Sequence, residues 1–264
     1  MYVLFLAKLQ VDTIEGVVIG MDVSNDKISW LVNTWIIAGL LSIIPVTSTL
    51  ASLSVIVQDR EKKIMMDFKS MPMKSYKYPL SVIISSTTVG VIMGFLGFIT
   101  YILIMGIESG KIFSINQCIS TFILIFITAL MSSTIMGWLA LFFKTSSGFT
   151  SLNIVVGTII GFVNAVYVPI GVLPSYVQGI SKIFPTAHVA VLFRNVLMSD
   201  ALSATFSKAV TEAKEYYLKL YGINFYNGKN EVFSHTLSIL YIVALTVIGF
   251  ILFIVFYNRK KEEY

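Results

Sequence analysis

The chain has 264 residues, of which 56% are hydrophobic and only 12% charged, with a mean hydropathy of +0.83. A soluble domain carries about twice that share of charge, so much of this surface cannot face water. Disorder, collagen-like repeats and a disulfide scaffold are excluded, and the composition argues against a soluble globular enzyme. The formal net charge of +5 comes from basic residues set beside apolar runs, which fits membrane topology and not nucleic acid.

The chain opens on an apolar stretch, Tyr2 to Ala7, with no basic lead-in and no convincing cleavage site for a signal peptide. It is far too short to cross a bilayer. The expectation is that it forms the outer end of a first span whose remainder, with a cytoplasmic lead-in, lies upstream of Met1. Five later stretches reach the roughly 20 apolar residues that a helix needs to cross the hydrocarbon core. They are residues 30–57, 80–107, 118–143, 149–168 and 235–257, and the only ionisable group of this kind in them is His235, at an edge. Such runs predict a helical bundle; a closed barrel would show short alternating strands.

Basic residues set the orientation. Arg60, Lys62, Lys63, Lys69, Lys74 and Lys77 lie between the first two of these spans, Lys144 follows the third, and Arg259, Lys260 and Lys261 follow the last. The positive-inside rule then places 58–79, 144–148 and the C-terminus in the cytoplasm, and the long segment 169–234 outside.

Within the spans the polar groups are amides and hydroxyls. Asn33, Asn153 and Asn164 are candidates for lining a pathway, although hydrogen bonding between helices is the plainer use for each. The runs Ser85-Ser86-Thr87-Thr88 and Ser132-Ser133-Thr134 read the same way. The absence of buried ionisable groups disfavours coupling to a proton or sodium gradient. Two GxxxG pairs, Gly90/Gly94 and Gly157/Gly161, predict close helix packing inside the bundle first and a subunit interface second. Cys118 reads as a small apolar residue. No catalytic triad, zinc motif or phosphate-binding GxxxxGK[ST] occurs, so any ATP would be handled by another chain.

The segment 58–79 is the most informative. Asp59, Arg60, Glu61 and Lys62 interleave charges of both signs, and Ile64, Met65, Phe68 and Met71 then recur at helical spacing up to Pro72. That predicts a short amphipathic helix at the membrane surface, with Pro79 in the first turn of the next span. Charges of both signs around an apolar knob suit docking onto a protein, the plainer alternative being a solvated charged loop lying on anionic lipid. Outside, residues 170–193 are apolar but broken by Gly171, Pro174, Gly179 and Pro185, a pattern that dips into the membrane and returns. Residues 203–221 have helical spacing, with Lys208, Glu212, Lys214, Glu215 and Lys219 outward and Ala209, Ala213, Tyr217 and Leu220 inward; Asn227-Gly228 is a turn.

Two of these features together resemble the permease subunits of type-2 ATP-binding-cassette exporters, over essentially the whole chain. One is the span, charged short helix and span at 30–107, with Asp59-Arg60-Glu61 after the first span. The other is Leu173-Pro174, the aromatic Tyr176, a second proline at Pro185 and the downstream Arg194. The resemblance implies an all-α polytopic fold of six spans in one transmembrane domain over 1–264, with an N-terminal amphipathic helix on the inner membrane surface; the five complete spans and the outer stub of a first one read above depart from it by lacking that helix and most of span one. It implies a coupling helix carrying Asp59, Arg60, Glu61, Lys62, Ile64, Met65, Phe68 and Met71. It also implies an outer re-entrant helical pair carrying Gly171, Leu173, Pro174, Tyr176, Pro185 and Arg194. The implied partners are a separate ATPase, which binds the ATP and magnesium, a second permease copy or paralogue, and membrane lipid. This chain itself would hold no cofactor or metal and would act in a bacterial plasma membrane on a drug, an antimicrobial peptide or a lipid-linked product. The competing readings are a non-transporting sensor or immunity module and a passive channel.

Overall fold

A computed structural model describes residues 10–11, 14, 24–64, 74, 76–109, 113–206, 211–227 and 230–262. Five helices within it are long and apolar enough to cross a membrane: Asn25–Glu61, Lys77–Gly106, Ile115–Ala140, Ser146–Val163 and His235–Arg259. They correspond one to one with the five predicted spans. The opening stretch 2–7 lies outside the described residues.

The first span is two helices end to end, α1 (Asn25–Ser52) and α2 (Ser54–Glu61), joined at Leu53. Then come α3 (Lys77–Ser109), α4 (Ile115–Ala140) and α5 (Ser146–Val163). The connection to the last span holds a 3-10 turn (Ile170–Val172) and four short helices: α6 (Ser175–Ser181), α7 (Pro185–Leu197), α8 (Ser199–Thr205) and α9 (Thr211–Leu220). A two-stranded hairpin, β1 (Phe225–Asn227) and β2 (Asn230–Phe233), leads into α10 (His235–Glu262). The hairpin brackets the predicted Asn227-Gly228 turn, and it is the one departure from helix among the described elements. The helix predicted over 203–221 is two elements, α8 and α9. Of its predicted inward positions Tyr217 is fully buried, and Lys214, Glu215 and Lys219 are exposed as expected.

Residue chemistry explains the boundaries. Ser114 and Gln117 form a reciprocal capping box that starts α4, and Thr145 caps α5 by accepting from the Gly148 N–H at 3.3 Å. Helix α5 stops at Asn164, short of the predicted 168, because Ala165 takes a left-handed φ of 52° and turns the chain. The pieces of the broken stretch fall where its breakers stand. Gly171 lies in the 3-10 turn, Pro174 precedes α6, and Pro185 opens α7 at the first-turn position that tolerates it.

Helix α1 is the hub, packed by α3, α4, α5, α7 and α8. Close approach depends on the first glycine pair. A Cβ at Gly90 would stand 2.5 Å from Thr49 Cγ2, and one at Gly94 would stand 2.7 Å from Ile125 Cγ2. The hydroxyl runs tie α3 to α4, since Ser133 Oγ lies 2.7 Å from Ser86 Oγ and 2.9 Å from Thr87 Oγ1. The second glycine pair divides: Gly161 makes room for the Tyr167 ring, whereas a Cβ at Gly157 would meet open space. Large apolar side chains such as Ile84, Leu103, Ile154, Leu240 and Ile251 face outward, as lipid-facing helices require. Apart from that hydroxyl cluster between α3 and α4, the main polar networks lie at the two ends of the bundle.

Candidate functional site

One end of the bundle is basic. It collects Arg60, Lys62, Lys63, Lys144 and Arg259. The predicted surface helix begins differently here: Asp59, Arg60 and Glu61 are the last residues of α2, so they complete the first span and do not open a separate helix. Lys62 ends α2, and Lys63, with a φ of 60°, turns the chain away. The reason is that these charges already have partners within the chain. Arg60 Nη1 donates to the carbonyls of Leu141 at 2.6 Å and Phe143 at 3.0 Å, just past α4. Glu61 accepts the Ser146 N–H at 3.0 Å and the Ser146 hydroxyl, at the start of α5. Asp59 accepts the Tyr78 hydroxyl at 3.1 Å, and the Tyr78 ring stacks on Tyr257 of α10. Beneath them Leu53, Ile56, Val57, Leu141 and Phe149 form a buried apolar cluster. Lys62, Lys63 and Ile64 remain exposed; Met65, Phe68 and Met71 lie outside the described residues.

The other end is a cap built from the α5–α10 connection. At its centre is Arg194, only 2% exposed on α7. Its Nη2 donates to the carbonyls of Asn164 at 2.7 Å and Ala165 at 2.8 Å, and its Nη1 to Gly222 at 3.0 Å. The guanidinium also lies 5.4 Å from the centre of the Trp35 ring. Burial draws its pKa down to about 9, and it keeps its charge at neutral pH. Gly222 supports this arrangement with a φ of 63°, and a Cβ there would press on Ile170 at 2.8 Å. Trp35 Nε1 donates to Tyr221 O at 3.0 Å, so α1, α5, α7 and the end of α9 meet around one cation.

The predicted residues separate into distinct places. Asn164 is consumed by the cap: its Nδ2 donates to Ser42 Oγ at 2.8 Å and its Oδ1 accepts from Thr186 Oγ1 at 2.8 Å. That is the interhelical use of the amide. Asn33 is half-buried on α1, and Asn153 is half-buried on α5 with its Oδ1 unpaired within the described residues. Gly171 packs against α9, where a Cβ would stand 2.8 Å from Leu220 Cα. Leu173 and Pro185 are half-buried, Pro174 is exposed, and Tyr176 is 70% exposed. Of the six residues implied for the outer pair, only Arg194 is interior.

Three further contributors are not among the site residues expected from the sequence. His188 is fully buried, ringed by Phe225 at 4.7 Å, Phe233 at 4.9 Å and Tyr241 at 4.7 Å between centroids. Its Nε2–H donates to Lys182 O at 2.9 Å, which leaves Nδ1 to accept from Ser238 Oγ at 3.1 Å. Burial lowers its pKa and favours this neutral form. Asn195 donates to Ile223 O at 2.7 Å, and Gln117 reaches Ser199 Oγ at 3.0 Å. Only Gln117 carried a sequence signal, the Ser-x-x-Gln of a capping box. Between α4, α7 and α10 lies an apolar cavity of about 450 Å³, walled by Ile123, Ile127, Leu192, Ile239 and Ile242 with Ser120, Asn195 and His235 as polar lining. Among the described residues no three His, Cys, Asp or Glu side chains converge as a metal site would need.

A sequence model of the ABC-2 family transporter proteins matches residues 7–258. The chain belongs to that family. No curated protein matches it. Membership assigns the bundle a transport role as a multi-pass membrane permease, in which the two polar ends flank the membrane-crossing helices.

Proposed function

We propose that the chain is the transmembrane subunit of an ATP-driven exporter, with ATP and magnesium held by a separate ATPase. The observation that carries this reading is the basic end of an ABC-2 bundle, where the chain leaves the membrane at Lys62 beside an exposed apolar residue, Ile64. Lys62, Ile64, Met65, Phe68 and Met71 dock on the ATPase. The excess of lysine and arginine favours a cytoplasmic position for this end and the C-terminus and an outer one for the cap, in what we take to be a bacterial plasma membrane. The span 1–264 acts as one transmembrane domain, paired with a second permease copy or paralogue. The open side of α5 at Gly157, flanked by exposed Ile154 and Val155, suits that pairing. The apolar cavity and the hydroxyl- and amide-only polarity of the spans favour an amphipathic or lipid-like cargo such as a drug, a peptide antibiotic or a lipid-linked product.

Reconstitution tests it. Vesicles holding the chain and its co-purified ATPase should move a fluorescent amphipathic probe only with ATP and magnesium. Movement without ATP would mean a passive channel, and ATPase association without any movement would favour a sensor module.

A further inference from the structure

Adjacent residues of opposite charge at the end of α2 each meet the end of a different helix. Arg60 faces the carbonyls of Leu141 and Phe143 where α4 has run out, and Glu61 faces the N–H and hydroxyl of Ser146 where α5 begins. Helix C-termini carry partial negative charge and N-termini partial positive charge, so both contacts are matched in sign. These bonds join residues 81 to 85 positions apart, and they lie over the apolar cluster of Val57, Leu141 and Phe149.

The helix that starts at Ser146 is also one of the less buried spans of the bundle. Helix α5 packs mainly on α1, α2 and the cap helices α6 and α7, and the core of its span is only 22% buried. Its far end, at Asn164 and Ala165, is held by Arg194. A helix gripped at both ends and loose between them carries displacement from one end to the other.

We propose that Arg60 and Glu61 are positioning residues that fasten the α4–α5 turn to the end of α2. Movement delivered at Lys62–Ile64 then shifts α5 with α2 and reaches the cap through Asn164. The proposal rests on the exporter reading for the source of that movement, and it assigns Arg60 and Glu61 to this internal fastening and not to the face that meets the ATPase.

The test has two arms. In the first, the chain alone is placed in nanodiscs in a Cys118→Ser background, with spin labels at Val55→Cys on α2 and Ser151→Cys on α5. The distance distribution should be narrow in the parent and broad in Arg60→Gln/Glu61→Gln; an unchanged width overturns the fastening whatever the partner is. In the second, the complex with its ATPase is reconstituted. Losing two charge-assisted contacts should lower cargo moved per ATP about tenfold, with ATPase association and thermal stability retained and with Arg60→Lys partly rescuing. Loss of ATPase association in Arg60→Gln/Glu61→Gln would overturn the proposal by showing that these residues are a docking contact, and unchanged cargo per ATP would overturn it as well. If the parent chain itself retains no ATPase, the exporter reading fails and the coupling role falls with it, while the first arm still decides the fastening.

Discussion

The two ends of the bundle solve one problem with opposite chemistry. At both, the carbonyls left at a helix terminus need donors. The basic end supplies Arg60 at a half-exposed position, with Glu61 on the neighbouring N-terminus, so water can replace either contact at small cost. The cap end uses Arg194, fully enclosed and donating to three carbonyls from two distant parts of the chain, Asn164 and Ala165 in one and Gly222 in the other. Enclosure makes the second arrangement rigid and the first adjustable. A transporter that receives movement at one end and must keep its far end assembled would divide its arginines this way.

Arg194→Met should therefore be the most damaging single change in the molecule. It leaves three buried carbonyls without donors, a loss of about 3–5 kcal/mol. Thermal melting in detergent should show it, with Arg194→Lys intermediate because a single ammonium cannot span all three acceptors. Arg60→Gln should move the melting temperature far less. Equal losses at the two arginines would end the contrast.

Glycine substitution sharpens the same picture along the bundle. Gly90→Ala drives a methyl into Thr49 and Ala129 and should cost about 1–3 kcal/mol. Gly157→Ala meets nothing among the described residues and should stay within about 0.5 kcal/mol. If the permease pairs through that side of α5, Gly157→Ala would instead weaken the dimer, which size-exclusion chromatography with light scattering would register.

These contrasts also show what hydropathy can and cannot convey. The spans were legible because each is a local run, and the breaks at Pro174 and Pro185 because proline acts on its own backbone. The capping box at Ser114 and Gln117 spans only three residues and was equally open to reading. The fastening of Arg60 to Leu141 was not, since nothing near residue 60 reports on a helix end 81 positions later. Local charge alternation read as a surface helix because the pairing that absorbs Asp59, Arg60 and Glu61 is entirely long-range. His188 was hidden for the same reason: its aromatic cage is assembled from the hairpin and α10.

That histidine gives the cap a pH dependence that sets in at a higher pH than any from the carboxylate of Glu61, which its hydrogen bonds from Ser146 hold below the usual range. The pKa of His188 in the fold is below the ordinary value near 6.5, so the unfolded chain takes up the proton first as pH falls. Stability is then complete above about pH 6.5 and declines below it, by at most about 1.4 kcal/mol per pH unit for one proton. Lys182, whose carbonyl accepts from His188, donates its own ammonium to Tyr226 O at 2.7 Å. His188→Asn should flatten the acid limb of a melting-temperature profile. A small gain in stability belongs to Ala165, whose left-handed backbone costs about 1 kcal/mol that Ala165→Gly would relieve while keeping the carbonyl that Arg194 uses. A small rise in melting temperature is expected.

The central claim is that the basic end receives an ATPase. A photocrosslinking amino acid placed at Ile64, exposed at the turn after α2, tests it in native membranes. Irradiation followed by mass spectrometry should yield one dominant adduct with an ABC ATPase, absent when the crosslinker is moved to Tyr176 in the cap. Adducts with lipid alone, or with the same ATPase from both positions, would contradict the account.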